Sequence, residues 1–96
     1  MFEPETMLLR EAIGETIRDL RLNEDRTLRQ VSSAAQVSLG YLSEIERGQK
    51  EASSEVIASI AAALGMTVGE LMTEVATRLM AYESDQLVAL PLQWAA

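Results

Sequence analysis

Residues 27–49 read TLRQVSSAAQVSLGYLSEIERGQ, and this stretch decides the fold. Its apolar residues recur at helical spacing in two short segments, and polar residues occupy the opposite side of each segment. Thr27 suits a helix N-cap, and Gln30 can complete a capping box by reaching back to the Thr27 amide. Ser38 is a second N-cap candidate, and Gly48 can end the following helix in the left-handed conformation. The stretch therefore predicts two short amphipathic helices joined by a tight turn.

The motif resembles that of the Cro/CI-type helix-turn-helix regulators, also called the xenobiotic-response-element family. Tyr41-Leu42-Ser43 and then Ile45-Glu46-Arg47-Gly48 look like the end of that family's recognition helix, and Thr27-Leu28-Arg29 looks like the start of its second helix. The resemblance covers about residues 13–71. The acidic start and hydrophobic end of the chain are similar to those of actinobacterial regulators of Clp protease genes. The resemblance implies a DNA-binding transcription regulator.

Two residues of the motif depart from the family pattern. Gln36 stands where the family often has glycine, at a turn position that tends to adopt a positive φ angle. A side chain at such a position costs roughly 1 kcal/mol, which a well-packed core can offset. Ser32 replaces the usual alanine where the two helices cross, and its hydroxyl can bond back to its own helix. These departures weaken the motif without removing it.

Three further helices are predicted around the motif. The first covers about residues 7–23, on an apolar stripe made of Leu9, Ile13, Ile17 and Leu20. The next begins behind Ser53 and Ser54 and ends at Gly65. The last opens at the capping box of residues 67–70, and its apolar side consists of Val68, Leu71, Met72, Val75 and Leu79. No repeat and no β-rich segment interrupts this pattern.

These elements predict an all-α, five-helix Cro/CI-like helix-turn-helix domain with a C-terminal helical or extended dimerisation segment. We expect residues 1–74 to form the DNA-binding domain, with its motif at residues 27–48, and residues 75–96 to form the dimerisation extension and tail. Pro91 forbids a continuous helix through that tail. A lone copy would leave much apolar surface wet, and such patches usually mark an interface. The expected dimer-interface residues are Val75, Leu79, Met80, Tyr82, Leu87, Leu90, Leu92 and Trp94.

Composition excludes several kinds of chemistry. The 96 residues include no cysteine and no histidine, so disulfides, zinc sites of the Cys/His kind, thiol nucleophiles and histidine bases are absent. The start of the chain is acidic where a secretory signal would be basic, and the apolar stretch from Ile60 to Leu64 is far too short to span a membrane. We therefore expect a cytoplasmic protein with no membrane partner, no metal, no cofactor and no enzymatic activity.

The net charge of −7 is the strongest objection to DNA binding, because a polyanion repels such a molecule at long range. The charges are unevenly placed, however. Seven of the eight basic residues lie between positions 10 and 50, where seven acidic residues balance them, and the rest of the chain sets Arg78 against eight acids. A neutral motif beside an acidic body suits a sequence-specific binder that must leave nonspecific sites easily.

The expected DNA contacts follow from the geometry of the motif. At the outer end and side of the recognition helix, the residues expected to contact bases are Ser38, Leu39, Gly40, Ser43 and Glu44. Leu39 can touch a thymine methyl, and Glu44 can accept a hydrogen bond from cytosine N4. Around that face, the residues expected to contact phosphates are Thr27, Arg29, Tyr41, Arg47, Gln49 and Lys50. In the resembled family, the positions of Arg21 and Glu46 form a buried ion pair under the motif.

Two functions remain open from the sequence. An enzyme is discounted because the carboxylates have no recognisable catalytic partner residue. The first is a regulator, such as an activator of protease or stress genes, that binds a palindromic operator as a homodimer. The alternative is a protein-interaction module, either antitoxin-like or contacting RNA polymerase. The acidic residues Glu24 and Asp25, just ahead of the motif, favour this alternative. The terminal Trp94-Ala95-Ala96 also resembles tails that energy-dependent proteases read.

Overall fold

The described backbone, residues 7–88 of the computed structural model, folds into five α-helices and contains no strand. Side chains are described for residues 7–85. In chain order the helices are α1 (Leu9–Asn23), α2 (Leu28–Ala35), α3 (Leu39–Glu46), α4 (Ser54–Ala63) and α5 (Val68–Val88). The all-α expectation with five helices is confirmed. Within the described residues no single helix is long and apolar enough to cross a membrane, although α4 and α5, bent by 97°, pass that test together.

One apolar core holds the five helices together. Helix α1 packs against α3 and α5, while α2 packs against α3 and α4. The largest side chains that are fully buried in this core are Ile17, Val31, Leu42, Ile45, Ile60 and Leu71. They come from all five helices, so each helix contributes its buried stripe to the same interior. The outward side of α3 is left free of this packing.

Side-chain caps fix the starts of four helices where the sequence predicts them. The Thr27 hydroxyl oxygen accepts a bond from the Gln30 amide at 3.0 Å, and the Gln30 side chain accepts from the Thr27 amide at 2.9 Å. The same reciprocal pair joins Thr67 and Glu70, at 3.0 and 2.9 Å, ahead of α5. Ser38 caps α3, and Ser53 caps α4. Because each cap satisfies amides that the helix itself leaves unpaired, the boundaries are set by local chemistry.

The turn between α2 and α3 takes the strained form that the family pattern indicates. Gln36 has φ 58° and ψ 42°, so a non-glycine residue occupies the left-handed region there. The Gln36 and Val37 amides donate to carbonyls of Ser33 and Ser32, which closes the end of α2. Asp25, just before α2, has φ 54° and is a second such position that the sequence reading missed.

The first helix differs from its prediction at its start. It begins at Leu9 instead of Met7, where the Glu11 carboxylate accepts a bond from the Leu8 amide at 2.8 Å. Leu9 is 58% exposed, so its assignment to the core stripe is wrong. Ala12 and Thr16 are buried instead, next to Ile13 and Ile17.

The last helix is a single rod from Val68 to Val88, and it runs unbroken through the expected domain boundary at residues 74–75. Val75 is only 2% exposed and packs in the core, so its assignment to a dimer interface is wrong: the first half of α5 is needed to complete the domain. Val68, expected on the apolar side, is 41% exposed. Leu79 is half-buried against the core, and Met80 is 60% exposed. The side chains of Leu87, Leu90, Leu92 and Trp94 lie outside the described part.

Arg78 fastens α5 to α1. Its guanidinium donates to the Thr16 hydroxyl at 3.1 Å, to the Glu15 carboxylate at 3.1 Å and to the Asp19 carboxylate. Glu15 and Thr16 are adjacent in α1, and Asp19 lies one turn further along the same face. Thr16 is buried, while the two carboxylates face solvent, so Arg78 joins the core to the surface. The sequence offered no signal for this contact beyond Arg78 being isolated among acids.

Candidate nucleic-acid interface

The position of α3 is set by a very close crossing with α1. Gly14 lies at that crossing, and a Cβ built there would stand 2.1 Å from the Ile45 carbonyl oxygen and 2.8 Å from the Glu46 carbonyl oxygen. Real Cβ atoms are essentially never found within 3.0 Å of such atoms. Only glycine therefore allows the end of α3 to rest on the α1 backbone.

A buried ion pair locks the same crossing. Arg21 Nε donates to Glu46 Oε2 at 2.8 Å, and Arg21 Nη2 donates to Glu46 Oε1 at 3.0 Å, which is a two-pronged contact. Arg21 Nη1 also donates to the Arg26 carbonyl at 2.8 Å, just before α2. Both side chains are buried, at 9% and 4% exposed, and the Glu46 carboxylate raises the pKa of Arg21 by accepting its hydrogen bonds. One guanidinium thus ties α1, the turn before α2 and the end of α3.

The N-cap and outward side of α3 carry the five residues expected to contact bases. Ser38, Leu39 and Gly40 are exposed at the start of the helix, with Leu39 at 38%, and nothing lies within 4 Å of a Cβ built on Gly40. Ser43 and Glu44, one turn further, are half-buried. The Ser38 hydroxyl oxygen is occupied as the cap of α3, where it accepts from the Tyr41 amide at 3.1 Å. The helix start is therefore narrow enough to approach a groove closely.

Exposed polar and basic side chains surround that face. Arg29 is exposed on the first turn of α2, and its side chain makes no hydrogen bond or ion pair within the described residues. Arg47, after α3, reaches the Gln49 side chain at 3.4 Å, and Lys50 next to it is exposed. Thr27, at the N-cap of α2, completes the set. The Leu28 and Arg29 amides have no partner within α2, so they too can donate to an anion, whereas the Gln30 amide is taken by Thr27.

Tyr41 has a different role from the phosphate contact that the sequence predicts. Its hydroxyl donates to the Glu51 carbonyl at 3.0 Å, so that proton is already used to hold the segment after α3. Arg10 supports the same segment from α1, where its Nε donates to the Gly48 carbonyl at 3.0 Å. The sequence reading missed Arg10, because a contact between residues 38 positions apart leaves no local signal. Together these bonds fix the segment that carries Arg47 and Lys50.

The arrangement is that of a helix-turn-helix DNA-binding module: a capped support helix, a tight turn and a second helix whose outer side is free. The helix-turn-helix domain family matches residues 12–75, which is most of the folded part. The chain belongs to this family, and it is a DNA-binding transcription regulator.

Relatives of known name agree with this assignment. The chain is 46% identical over 76 residues to the transcriptional regulator ClgR of Mycobacterium tuberculosis, which covers 79% of this chain and 68% of that protein. It is 40% identical over 58 residues to the HTH-type transcriptional regulator DdrOP3 of Deinococcus deserti, over 60% of this chain and 45% of that protein.

Solved structures show the same fold. The crystal structure of the clp gene regulator ClgR from Corynebacterium glutamicum superposes with a TM-score of 0.81 at 42% identity, and it covers 95% of this chain and 97% of that one. The restriction-modification controller protein C.Esp1396I, solved as a tetramer with its natural 35 base-pair operator, superposes with a TM-score of 0.64. That match, at 20% identity over 73% of this chain and 97% of that one, shows the fold alone.

Proposed function

We propose that the protein binds a palindromic operator as a homodimer and that α3 of each copy enters the major groove. The observation that carries this proposal is the free outward side of α3, which is held rigidly from behind by Gly14 and by the Arg21–Glu46 pair. A helix that reads bases must be fixed in angle and height, because each direct base contact depends on hydrogen-bond geometry.

Base reading is assigned to the outward residues of α3. Leu39 offers an exposed apolar side chain suited to a thymine methyl, and Gly40 allows the backbone to approach. Glu44 can accept from cytosine N4, and Ser43 can serve either kind of base edge. Ser38, whose oxygen caps α3, still has its proton to donate to a base acceptor. The face lacks Arg, Asn and Gln at its first positions, so shape and deformability of the operator contribute a larger share of the discrimination.

Phosphate contacts are assigned to the residues around that face, namely Thr27, Arg29, Arg47, Gln49 and Lys50. Tyr41 is left out because its proton is engaged by Glu51. These contacts give affinity and register without sequence information. The overall charge of −7 lies outside the motif region, so the contacts form on a locally neutral surface that releases nonspecific DNA readily.

The homodimer is supported by the far half of α5. Met80 is 60% exposed there, and the apolar sequence continues, beyond the described side chains, with Leu87, Leu90, Leu92 and Trp94. Two copies related by a two-fold axis would place their recognition helices about 34 Å apart, one turn of DNA. A homodimer of this kind explains why the operator should be palindromic.

The target genes follow from the relatives. Proteins 46% and 42% identical to this chain are named ClgR, and the second is described as a clp gene regulator, so we place Clp protease genes among the targets. Activation would need a contact with RNA polymerase, for which the exposed Glu24 and Asp25 beside α2 are the candidate surface. Such a regulator acts where the chromosome is, which in bacteria is the cytoplasm. We also propose that an energy-dependent protease recognises the Trp94-Ala95-Ala96 tail, which lies outside the described residues.

A mobility-shift titration tests the central proposal. The probe is DNA from upstream of a Clp protease gene of the source organism, measured at 50 and 200 mM salt against a shuffled sequence. We expect one shifted species containing two protein chains, with affinity that falls steeply as salt rises. Arg29→Ala should weaken binding to both probes, and Leu39→Ala should weaken binding to the specific probe alone. Equal binding of the two probes by the unaltered protein would contradict the proposal.

A further inference from the structure

A groove of about 520 Å³ opens between α1 and the outer edge of the helix-turn-helix motif. Leu28, the first residue of α2, and Ser43, on the outward side of α3, line it together with charged side chains of α1 and α3. The groove is therefore continuous with the surface assigned to DNA. A duplex lying along α3 would pass its mouth.

Six charged residues line the groove, three acids and three arginines: Glu11, Glu15, Glu46, Arg18, Arg21 and Arg47. Each of the three acids already has a hydrogen-bond partner. The Glu11 carboxylate accepts a hydrogen bond from the Leu8 amide, and the Glu15 carboxylate accepts one from Arg78. The Glu46 carboxylate accepts from Arg21, so Arg21 is engaged as well.

Two guanidinium groups remain without a carboxylate. Arg18 is exposed, and its guanidinium makes no hydrogen bond or ion pair with any described residue. Arg47 has one long bond, 3.4 Å, to the neutral side chain of Gln49. Arginine presents a planar fork of donors that matches phosphate oxygens, and a group left unpaired keeps that fork available. The groove thus holds two unpaired cations that belong to different helices.

We propose that Arg18 and Arg47 together bind one phosphate group of the DNA backbone at this groove. Arg18 on α1 would then extend the DNA-contacting surface beyond the two helices of the motif. This inference rests on the proposed function, and it assigns to Arg18 a contact that the motif alone does not indicate. The phosphate would bridge α1 to the segment after α3, adding a third fixed point to the docking of the protein on the duplex.

The test compares Arg18→Ala with a variant of equal net charge. Ala58→Glu, at an exposed position in the middle of α4, lowers the charge by one as Arg18→Ala does. Operator affinity is measured by fluorescence anisotropy at several salt concentrations. Arg18→Ala should weaken binding about tenfold and reduce the slope of log K against log salt by about 0.9, the value for one lost phosphate contact. Ala58→Glu should leave the slope unchanged.

Two further variants sharpen the result. If both arginines hold the same phosphate, Arg18→Ala combined with Arg47→Ala should cost less than the product of the two single losses, whereas separate phosphates would give the full product. Arg18→Lys should retain the salt slope. The melting temperature of each variant, which we expect to be unchanged for Arg18→Ala, separates binding from folding. An Arg18→Ala protein that matches Ala58→Glu overturns this inference and leaves the proposed function standing, because operator binding by the unaltered protein is measured in the same series.

Discussion

Gly14→Ala is the substitution for which the structure sets the sharpest expectation. The new methyl group would lie 2.1 Å from the Ile45 carbonyl oxygen, and ordinary contact begins at 3.4 Å, so the end of α3 must retreat by about 1.3 Å. The obstacle is backbone, which has no rotamer to change. The Ile45 carbonyl also accepts from the Gly48 amide at 3.0 Å, so the segment after α3 would be displaced with it.

The magnitude follows from the contacts that such a shift disturbs. Alanine favours a helix over glycine by about 1 kcal/mol, which acts in the opposite direction. Overpacking of a close-packed site costs about 1–3 kcal/mol, and a shift of this size also stretches the Arg21–Glu46 bonds beyond hydrogen-bond length, which costs about a further 2 kcal/mol. We expect a net loss of about 2–4 kcal/mol in the free energy of unfolding, with a fall of roughly 10–25 °C in melting temperature.

The matched control is Gly40→Ala, the same chemical change in another helix of the same crossing. Nothing lies within 4 Å of a Cβ at Gly40, so this variant should gain about 0.5–1 kcal/mol. Urea unfolding followed by circular dichroism measures both variants at one fixed protein concentration, because association would otherwise add to the stability. If Gly14→Ala proved as stable as Gly40→Ala, the close crossing of α1 and α3 would be refuted.

Four other substitutions test separate parts of the molecule. Glu46→Ala leaves the Arg21 guanidinium buried without its carboxylate, and urea unfolding should show a loss of about 3–5 kcal/mol; a loss below 1 kcal/mol would mean that the pair is in effect solvated. Arg29→Ala should leave the melting temperature unchanged and lower the salt slope of operator binding by about 0.9, and an unchanged slope would remove Arg29 from the phosphate set. Leu39→Ala should abolish the preference for thymine over deoxyuracil at one operator position, which anisotropy on substituted probes detects; the same preference in both proteins would exclude the methyl contact. Arg78→Met should destabilise the protein by about 1 kcal/mol, because its carboxylate partners are largely solvated, and stability equal to that of the unaltered protein would show that the helix contact needs no clamp.

The helix boundaries were predictable because their causes are local. Thr27 with Gln30, and Thr67 with Glu70, satisfy amides within three residues along the chain, so the sequence displays both partners at once. The left-handed turn at Gln36 was also expected, from the place that the residue occupies in the family pattern. For the same reason the all-α fold could be predicted with its five helices in order.

Contacts between distant residues were not predictable from the local sequence, and the Arg21–Glu46 pair was expected only through the family resemblance. The crossing at Gly14 depends on where α3 arrives, and periodicity alone does not distinguish an exposed Leu9 from a buried one at the end of a stripe. Val75 was assigned to an interface because the apolar side of α5 is long, but the domain uses the first half of that side for its own core. Tyr41 was taken for a phosphate ligand because a free hydroxyl and one bonded to the Glu51 carbonyl look alike in sequence. In each case the role of the side chain depends on its tertiary packing, which the sequence pattern does not show.

Arg78 anchors the middle of α5 to α1, so small changes in tilt at that point are amplified along the part of α5 that follows it. Ten residues beyond Arg78 extend about 15 Å, so a tilt of about 5° at that point moves the far end by about 1.3 Å. In a dimer joined at those far ends, the Arg78 side chain would therefore influence the distance between the two recognition helices without contacting DNA itself. Exchanges at Arg78 or at its acidic partners would then alter which spacer length between half-sites is tolerated, leaving the preferred bases as they were.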